Sequence, residues 1–386
     1  MDPTRFVAPS LGKVVKTPGP YGFFTYLPAP LPRKMTLSSS SVLVLSEADR
    51  ALGRLAGAGR LLPNPHLLVD PYVAREALSS SRIEGTQASL SDVFDATALG
   101  AAKGQVREVT NYIAALNQGL RLLSELPLSM RLVKQIHAVL LSDVRGQERN
   151  PGEIRTSPNW IGSPDGRPET AAFVPPPVDQ MTDALTDWER FIHEDLPIPP
   201  LVKCALLHYQ FETIHPFLDG NGRLGRLLIV FFLVERALLP QPLLYVSSYL
   251  EAHRSEYYER LQLVREEGQL EEWLQFFLRA VAVQARDSAR LVDRLADLRE
   301  TYRRTTGQTR SRAPEVVELL FANPIITVRH VTNRLHITQQ GAANLIRRLE
   351  GAGLLKEYGR VPGRAMRWVA QEILDILESP TGEEAP

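Results

Sequence analysis

Cysteine is nearly absent from this chain of 386 residues: Cys204 stands alone. That excludes a disulfide framework and a thiolate metal site, and leaves Cys204 as a small core residue in an apolar helical stretch. Excess charge is missing too. Lys+Arg and Asp+Glu each total 44, so the whole chain has no general attraction to nucleic acid or membrane, although a balanced total can hide a local excess. The longest apolar run, Leu227 to Val234, has eight residues, against about 20 for a membrane span. The opening residues, MDPTRFVAPS, contain no apolar run of the signal-peptide kind. These absences predict a cytoplasmic protein with no membrane partner.

What is present is an ordinary globular composition, 44% apolar and 23% charged, in a chain long enough for two or three domains. Residues 1–37 are rich in Pro and Gly and read as an extended arm. Helical patterning starts near Ser46 to Ala58, with Ser46 as cap. A second helix is signalled by Asp70 as cap, Pro71 at the first helical position and Gly85 as stop. Further helices are predicted over 105–125, 129–145, 178–194, 200–214, 222–237 and 252–304. Between them, 150–178 reads as a β-hairpin with strands Asn159 to Gly162 and Ala171 to Val174.

Residues 215–226 read HPFLDGNGRLGR. Pro216 ends the preceding helix and leaves His215 at its tip. Gly220, Asn221 and Gly222 permit a tight turn with exposed N–H groups, and an apolar, buried helix begins at about Gly222. Arg223 and Arg226 lie in the first turns of that helix, where the macrodipole disfavours cations by roughly 0.3–1 kcal/mol each. Two arginines, free N–H groups and a helix N-terminus make an anion site, and phosphate is the natural occupant. Asp219 either neutralises an arginine or, beside phosphates, suits a Mg²⁺ that keeps most of its waters. His215 titrates near neutral pH and is the candidate general base. His208 and Glu212 share its helical face, but Pro216 and the incomplete ligand set argue against a metal centre, so His208 reads as packing support. The chemistry that fits is transfer of a phosphate-containing group to a hydroxyl.

This segment resembles the signature of the Fic family, His-Pro-Phe-x-(Asp/Glu)-Gly-Asn-Gly-Arg-x-x-Arg, at every defined position, and the resemblance extends over roughly residues 20–285. It implies a mainly α protein with a helical Fic fold and a β-hairpin flap. It also implies that AMP moves from ATP onto a Ser, Thr or Tyr hydroxyl of a target protein and of the chain itself, with His215 as base. By the same resemblance Asp219 holds Mg²⁺ on the α- and β-phosphates. Gly220, Asn221 and Gly222 form the anion hole, Arg223 and Arg226 grip the outer phosphates, and Phe217 anchors the loop. The target docks along the flap, 159–174, by main-chain pairing. Tyr257 and Tyr258 resemble residues lining the nucleoside pocket; on their own, paired tyrosines on a helix are more often simply half-buried.

Near the end of the helix from Pro71, Glu84 faces unpaired carbonyls, an unfavourable place for a carboxylate. Ser80-x-x-x-Glu84-Gly85 resembles the family's inhibitory motif, (Ser/Thr)-x-x-x-Glu-(Gly/Asn). The resemblance implies that Glu84 pairs with Arg226 and displaces ATP from its productive pose, or, in the reverse direction, supports AMP removal.

From 314 the chain reads as helix, helix-turn-helix and wing, with Thr327 and Thr338 as caps. Residues 308–370 hold ten Lys/Arg against four acids, a net of +6, which suits phosphate contacts. The module resembles a small winged-helix (α+β) domain with Gln339, Gln340, Asn344, Arg347 and Arg348 facing a DNA groove and 327–367 as the contact region. Protein docking and dimerisation are the other uses of that fold, so a homodimer is also an expectation. The predicted organisation is an arm and inhibitory region (1–104), a catalytic domain (105–285), a helical linker (286–313) and a winged helix (314–378). The rival readings are a DNA-binding regulator whose core senses nucleotide and a de-AMPylating enzyme.

Overall fold

The computed structural model describes residues 1–18, 22–61, 65–307, 311–359 and 365–379, with backbone alone for 61 and 65–68. Arg310, Arg360 and Arg364 of the basic count lie outside the described residues. The arm expected over 1–37 contains a hairpin, β1 (Gly12–Lys16) and β2 (Phe24–Pro28), paired antiparallel with Gly12 opposite Pro28 and Lys16 opposite Phe24. Then come α1 (Ser39–Leu61), α2 (Pro65–Ile83), α3 (Leu90–Leu99), α4 (Gly104–Leu122) and α5 (Met130–Leu140). Beyond the flap region follow α6 (Val178–His193), α7 (Pro200–Ile214), α8 (Asn221–Glu235), α9 (Ser247–Ala252), α10 (Arg254–Glu267) and α11 (Leu270–Thr306).

Two helix starts differ from expectation. Helix α1 begins at Ser39 rather than Ser46, because the Ser38 hydroxyl accepts the Ser41 N–H at 3.2 Å and Glu271 of α11 accepts the Ser38 N–H at 2.7 Å. Pro71 sits inside α2 and not at its first position. Burial of Tyr72, Val73, Ala74 and Ala77 offsets the hydrogen bond that proline removes. The long helix expected over 252–304 is three helices, broken at His253 and at Gly268, whose φ is +78°.

The core centres on α7 and α8. Every residue of α7 from Leu201 to Ile214 is buried, and α8 is buried from Arg223 to Leu233, so both lack a solvent face. Helix α1 lies along α11 and buries Leu45, Ala48, Leu52 and Leu55.

The C-terminal module comprises α12 (Ala313–Ala322), β3 (Ile325–Thr327), α13 (Val328–Leu335), α14 (Gln339–Gly351), β4 (Lys356–Tyr358), β5 (Arg367–Val369) and α15 (Gln371–Glu378), with antiparallel sheet order β3-β5-β4. Thr327 caps α13 through the His330 N–H, and Thr338 caps α14 through the Gly341 N–H. The module packs back on the body. Helix α12 lies against α2 and α11, and Asn323 donates to the Phe94 carbonyl of α3 at 3.0 Å. Arg367 pairs with Asp95, and the Tyr302 hydroxyl donates to Glu372 at 2.8 Å. Helix α11 therefore runs unbroken from the body to the module.

Candidate active site

The loop from α7 to α8 is held from behind by its carbonyls. His215 ends α7 in the left-handed region, φ 49°, with its N–H on the Phe211 carbonyl. Arg155 takes the His215 carbonyl through Nε at 3.0 Å and the Pro216 carbonyl through its backbone N–H at 2.9 Å. Asn159 donates to the Phe217 carbonyl at 2.9 Å. The Asp219 carbonyl meets Nε2 of His137 at 2.9 Å. Because Nδ1 of His137 accepts the Gly152 N–H at 2.8 Å, Nε2 carries the proton. With its carbonyls engaged, the loop keeps N–H groups for an anion at the start of α8.

Phe217 is fully buried, and its ring stacks on His137 with centroids 3.9 Å apart. Asn221 differs in part from its expected use. Its Oδ1 accepts the Phe217 N–H at 2.9 Å and its Nδ2 donates to the Phe217 carbonyl at 2.8 Å. The side chain thus clamps the loop, and only the backbone N–H is left for an anion. Gly220 caps α8 at φ +76°, where any side chain would be strained.

The two arginines have different surroundings. Arg226 is 1% exposed, with two of its nitrogens engaged: Nε on the Ser80 hydroxyl at 2.8 Å, Nη2 on the Ser80 carbonyl at 2.9 Å and on Glu84 Oε1 at 2.8 Å. Burial would lift the Glu84 carboxyl, but the Arg226 charge and hydrogen bond outweigh it and hold it below its ordinary value. Gly222 makes this contact fit, since a Cβ there would lie 2.5 Å from Glu84 Oε1. Gly85, at φ +96°, turns the chain away just after the carboxylate. Arg223 is equally buried, yet its Nε and Nη1 have no hydrogen-bond partner. Burial lowers its guanidinium from the ordinary value against the nearby carboxylates Glu84, Asp219 and Glu108. Asp219 stands at the mouth, 35% exposed, with Oδ1 accepting the Gly220 N–H at 2.6 Å.

His215 places Nδ1 at 3.4 Å from the Glu212 carbonyl, which makes Nδ1 the protonated nitrogen and Nε2 the free acceptor. Burial pushes its pKa down to about 3 despite that carbonyl, so the ring does not titrate near neutral pH as the sequence suggested but stays neutral there. Glu212 is buried with Oε1 unpartnered, and burial raises its carboxyl to about 7.

The tyrosine pair divides. Tyr257 is not open to a pocket: it is buried, and its hydroxyl meets His208 Nε2 at 2.9 Å. His208 faces the Gly225 carbonyl through Nδ1 at 3.1 Å, so both ring nitrogens are spent on packing. Tyr258 is 42% exposed beside it. The flap forms as a loop rather than as two strands. One antiparallel bridge, Ile161 opposite Phe173, replaces the expected hairpin. Pro158, Pro164, Pro168 and Pro175 supply no N–H for a longer ladder, and the Asp165 carboxylate accepts from Ser163 and Arg167 instead. Arg265 lies 4.0 Å over the Phe173 ring, and Tyr26 of β2 donates to the Val174 carbonyl at 2.9 Å.

Beyond the loop and Ser80–Gly85, the site recruits His137, Arg155, Asn159, Glu108 and Glu212, none of which the sequence marked for these contacts. Only Glu212 carried a signal, from its place one turn before His215. In the module, Gln339, Gln340, Asn344, Arg347 and Arg348 are all exposed, with Gln340 and Arg347 both donating to Asn344 Oδ1.

The described features are a buried loop with N–H groups at a helix start, a neutral histidine and a carboxylate-clamped arginine, set in a helical domain. Residues 42–121 match the Fic/DOC family N-terminal description, 127–233 match Fic/DOC family, and 313–357 match HTH DNA binding domain. Residues 42–233 thus carry Fic N-terminal and Fic domains, with a helix-turn-helix module behind them. It is 26% identical over 164 residues to the protein adenylyltransferase fic-1 of Caenorhabditis briggsae, covering 40% of this chain and 29% of the relative. It is 39% identical over 69 residues to a probable protein adenylyltransferase of Aquifex aeolicus, covering 18% and 22%. The chain thus spans less than a third of these curated relatives. A Fic family protein from Desulfovibrio desulfuricans G20 shares the fold, with TM-score 0.56 at 20% identity over 87% of this chain and 97% of that one. A Fic domain containing signaling protein from Bacteroides thetaiotaomicron does so at TM-score 0.51 and 18% identity, over 67% and 97%. No described helix is long and apolar enough to cross a membrane.

Proposed function

We propose that this chain is a protein adenylyltransferase held in an inhibited state by Glu84. The observation that carries this reading is the 2.8 Å pair between Glu84 and Arg226 at the head of a complete 215–226 loop. Nε2 of His215 takes the proton of a target Ser, Thr or Tyr hydroxyl. The hydroxyl oxygen then forms a bond to the α-phosphorus of ATP, the bond from that phosphorus to the bridging oxygen breaks, and pyrophosphate leaves with the electron pair. Arg223, Arg226 and the N–H groups of Asn221 and Gly222 bind the phosphates, while the Gly220 N–H is held by Asp219, and Tyr258 flanks the nucleoside. Asp219 would hold Mg²⁺. A single, part-exposed carboxylate at the mouth suits a cation that shares its shell with water and phosphate oxygens, and its contribution is to neutralise phosphate charge. Glu84 clamps Arg226 while ATP is absent or misaligned. The flap, 159–174, orders the target segment.

A DNA-facing role for the C-terminal module accompanies this reading. Its support is the exposed Gln340, Asn344 and Arg347 row on α14, in residue types that read adenine and guanine edges. Intact-mass measurement of wild type and Glu84→Gly after incubation with ATP and Mg²⁺ tests the main reading. Addition of one AMP mass to the variant supports it, and an unchanged mass in both proteins together with no AMP on any protein of a supplied lysate overturns it.

A further inference from the structure

The proposed reaction gives Arg223 a phosphate to hold but does not explain how a fully buried guanidinium stays aimed with two donors empty. A buried cation needs a compensating charge, and compensation by direct hydrogen bonds would consume the N–H groups a phosphate requires. Arg226 is compensated in that way. Arg223 is not: its carboxylate neighbours stand at 3.7 Å (Asp219 Oδ1 to Nη2) and 4.0 Å (Glu108 Oε2 to Nη1), too far for hydrogen bonds. Charge is balanced while Nε and Nη1 stay unpartnered.

Of these two acids, Glu108 is the fixed one. It lies on α4, is 7% exposed, and its Oε2 accepts the hydroxyl of buried Thr86 at 3.0 Å. Thr86 in turn is tied to the end of α2 by its N–H on the Ser81 carbonyl at 3.1 Å. Asp219 is part-exposed at the mouth, and Glu84 belongs to Arg226. In the proposed reaction Asp219 serves the phosphate-bound cation and Glu84 leaves Arg226, so Glu108 is the carboxylate that remains with Arg223 throughout.

We propose that Glu108, aimed by Thr86, is a positioning residue that holds Arg223 ready for the outer phosphates of the nucleotide. This inference rests on the reading of Arg223 as a phosphate ligand. It makes Thr86 and Glu108 part of the nucleotide site, independent of the inhibitory pair.

The test uses the full chain in the Glu84→Gly background, with calorimetric binding of ATP and AMP and steady-state transfer kinetics. Glu108→Gln keeps the shape and removes the charge. The expected result is a rise of about tenfold in Kd and KM for ATP, the scale of one lost charge interaction, with kcat little changed and AMP affinity intact. Thr86→Val gives a smaller shift in the same direction and serves if Glu108→Gln folds poorly. Glu108→Gln added to Arg223→Ala costs nothing further. Weakened ATP binding in Arg223→Ala but not in Glu108→Gln or Thr86→Val overturns the inference and leaves the phosphate reading standing. Equal loss of ATP and AMP affinity marks general damage and also overturns it. Unchanged ATP affinity in Arg223→Ala refutes the phosphate reading itself.

Discussion

Replacing Glu84 by glycine removes the one carboxylate hydrogen-bonded to a guanidinium that is 1% exposed, while the two Ser80 contacts stay in place. Breaking a buried pair by deleting one partner costs about 3–5 kcal/mol. Glu84 is itself 31% exposed, and water screening of that end brings the figure to about 2–3 kcal/mol. Two effects follow from the same energy. The nucleotide-free variant melts lower, by roughly 2–4 °C for a chain of this size. Conversely, nucleotide no longer competes with Glu84 for Arg226, and 2–3 kcal/mol corresponds to about a hundredfold in the open population. The ATP-dependent rise in Tm is therefore larger in the variant by about the amount its starting Tm fell, and AMP transfer rises by roughly a hundredfold. Differential scanning fluorimetry with and without ATP and Mg²⁺, beside initial transfer rates, measures both. A variant that melts with wild type, gains no more from ATP and transfers within threefold of it would refute the reasoning.

Because Glu84 is held below its ordinary value, its pairing contributes fully above the unfolded carboxyl pKa and is lost only as pH falls through the lower folded value. The ratio of Glu84→Gly to wild-type transfer should stay constant from pH 8 to pH 5, and a ratio approaching one near pH 5 would contradict this. Phe217→Ala should cost about 3–5 kcal/mol, seen in the urea midpoint, and abolish transfer in the Glu84→Gly background, since the stack on His137 sets the loop. Arg347→Ala should weaken duplex DNA binding and reduce its salt slope by about one. Unchanged affinity and slope would remove that face from the interface.

The geometry of the candidate site was legible where it is local. The 215–226 loop carries its own stop, turn and helix start, and Ser80 and Glu84 lie one helical turn apart on α2 and the turn that follows it. What escaped lies across sequence distance: Glu108 reaches Arg223, Arg155 reaches His215 and His137 reaches Asp219 only through tertiary packing. Pro71 read as a helix start because proline's local preference points there, whereas the buried residues that follow it hold the helix on both sides. The flap read as two short strands around a polar turn, but the prolines around it withhold the N–H groups a ladder needs, and a single bridge remains. Tyr257 and Tyr258 are neighbours in sequence, yet helical rotation sends one into the core and the other outward.

The central claim is that His215 directs AMP onto a hydroxyl and that Glu84 prevents it. Incubating Glu84→Gly and Glu84→Gly/His215→Ala with α-labelled ATP and Mg²⁺ tests it most directly. The account predicts labelled protein in the first and none in the second. Equal label in both would contradict the role of His215, and no label in either, with target lysate present, would contradict AMP transfer itself.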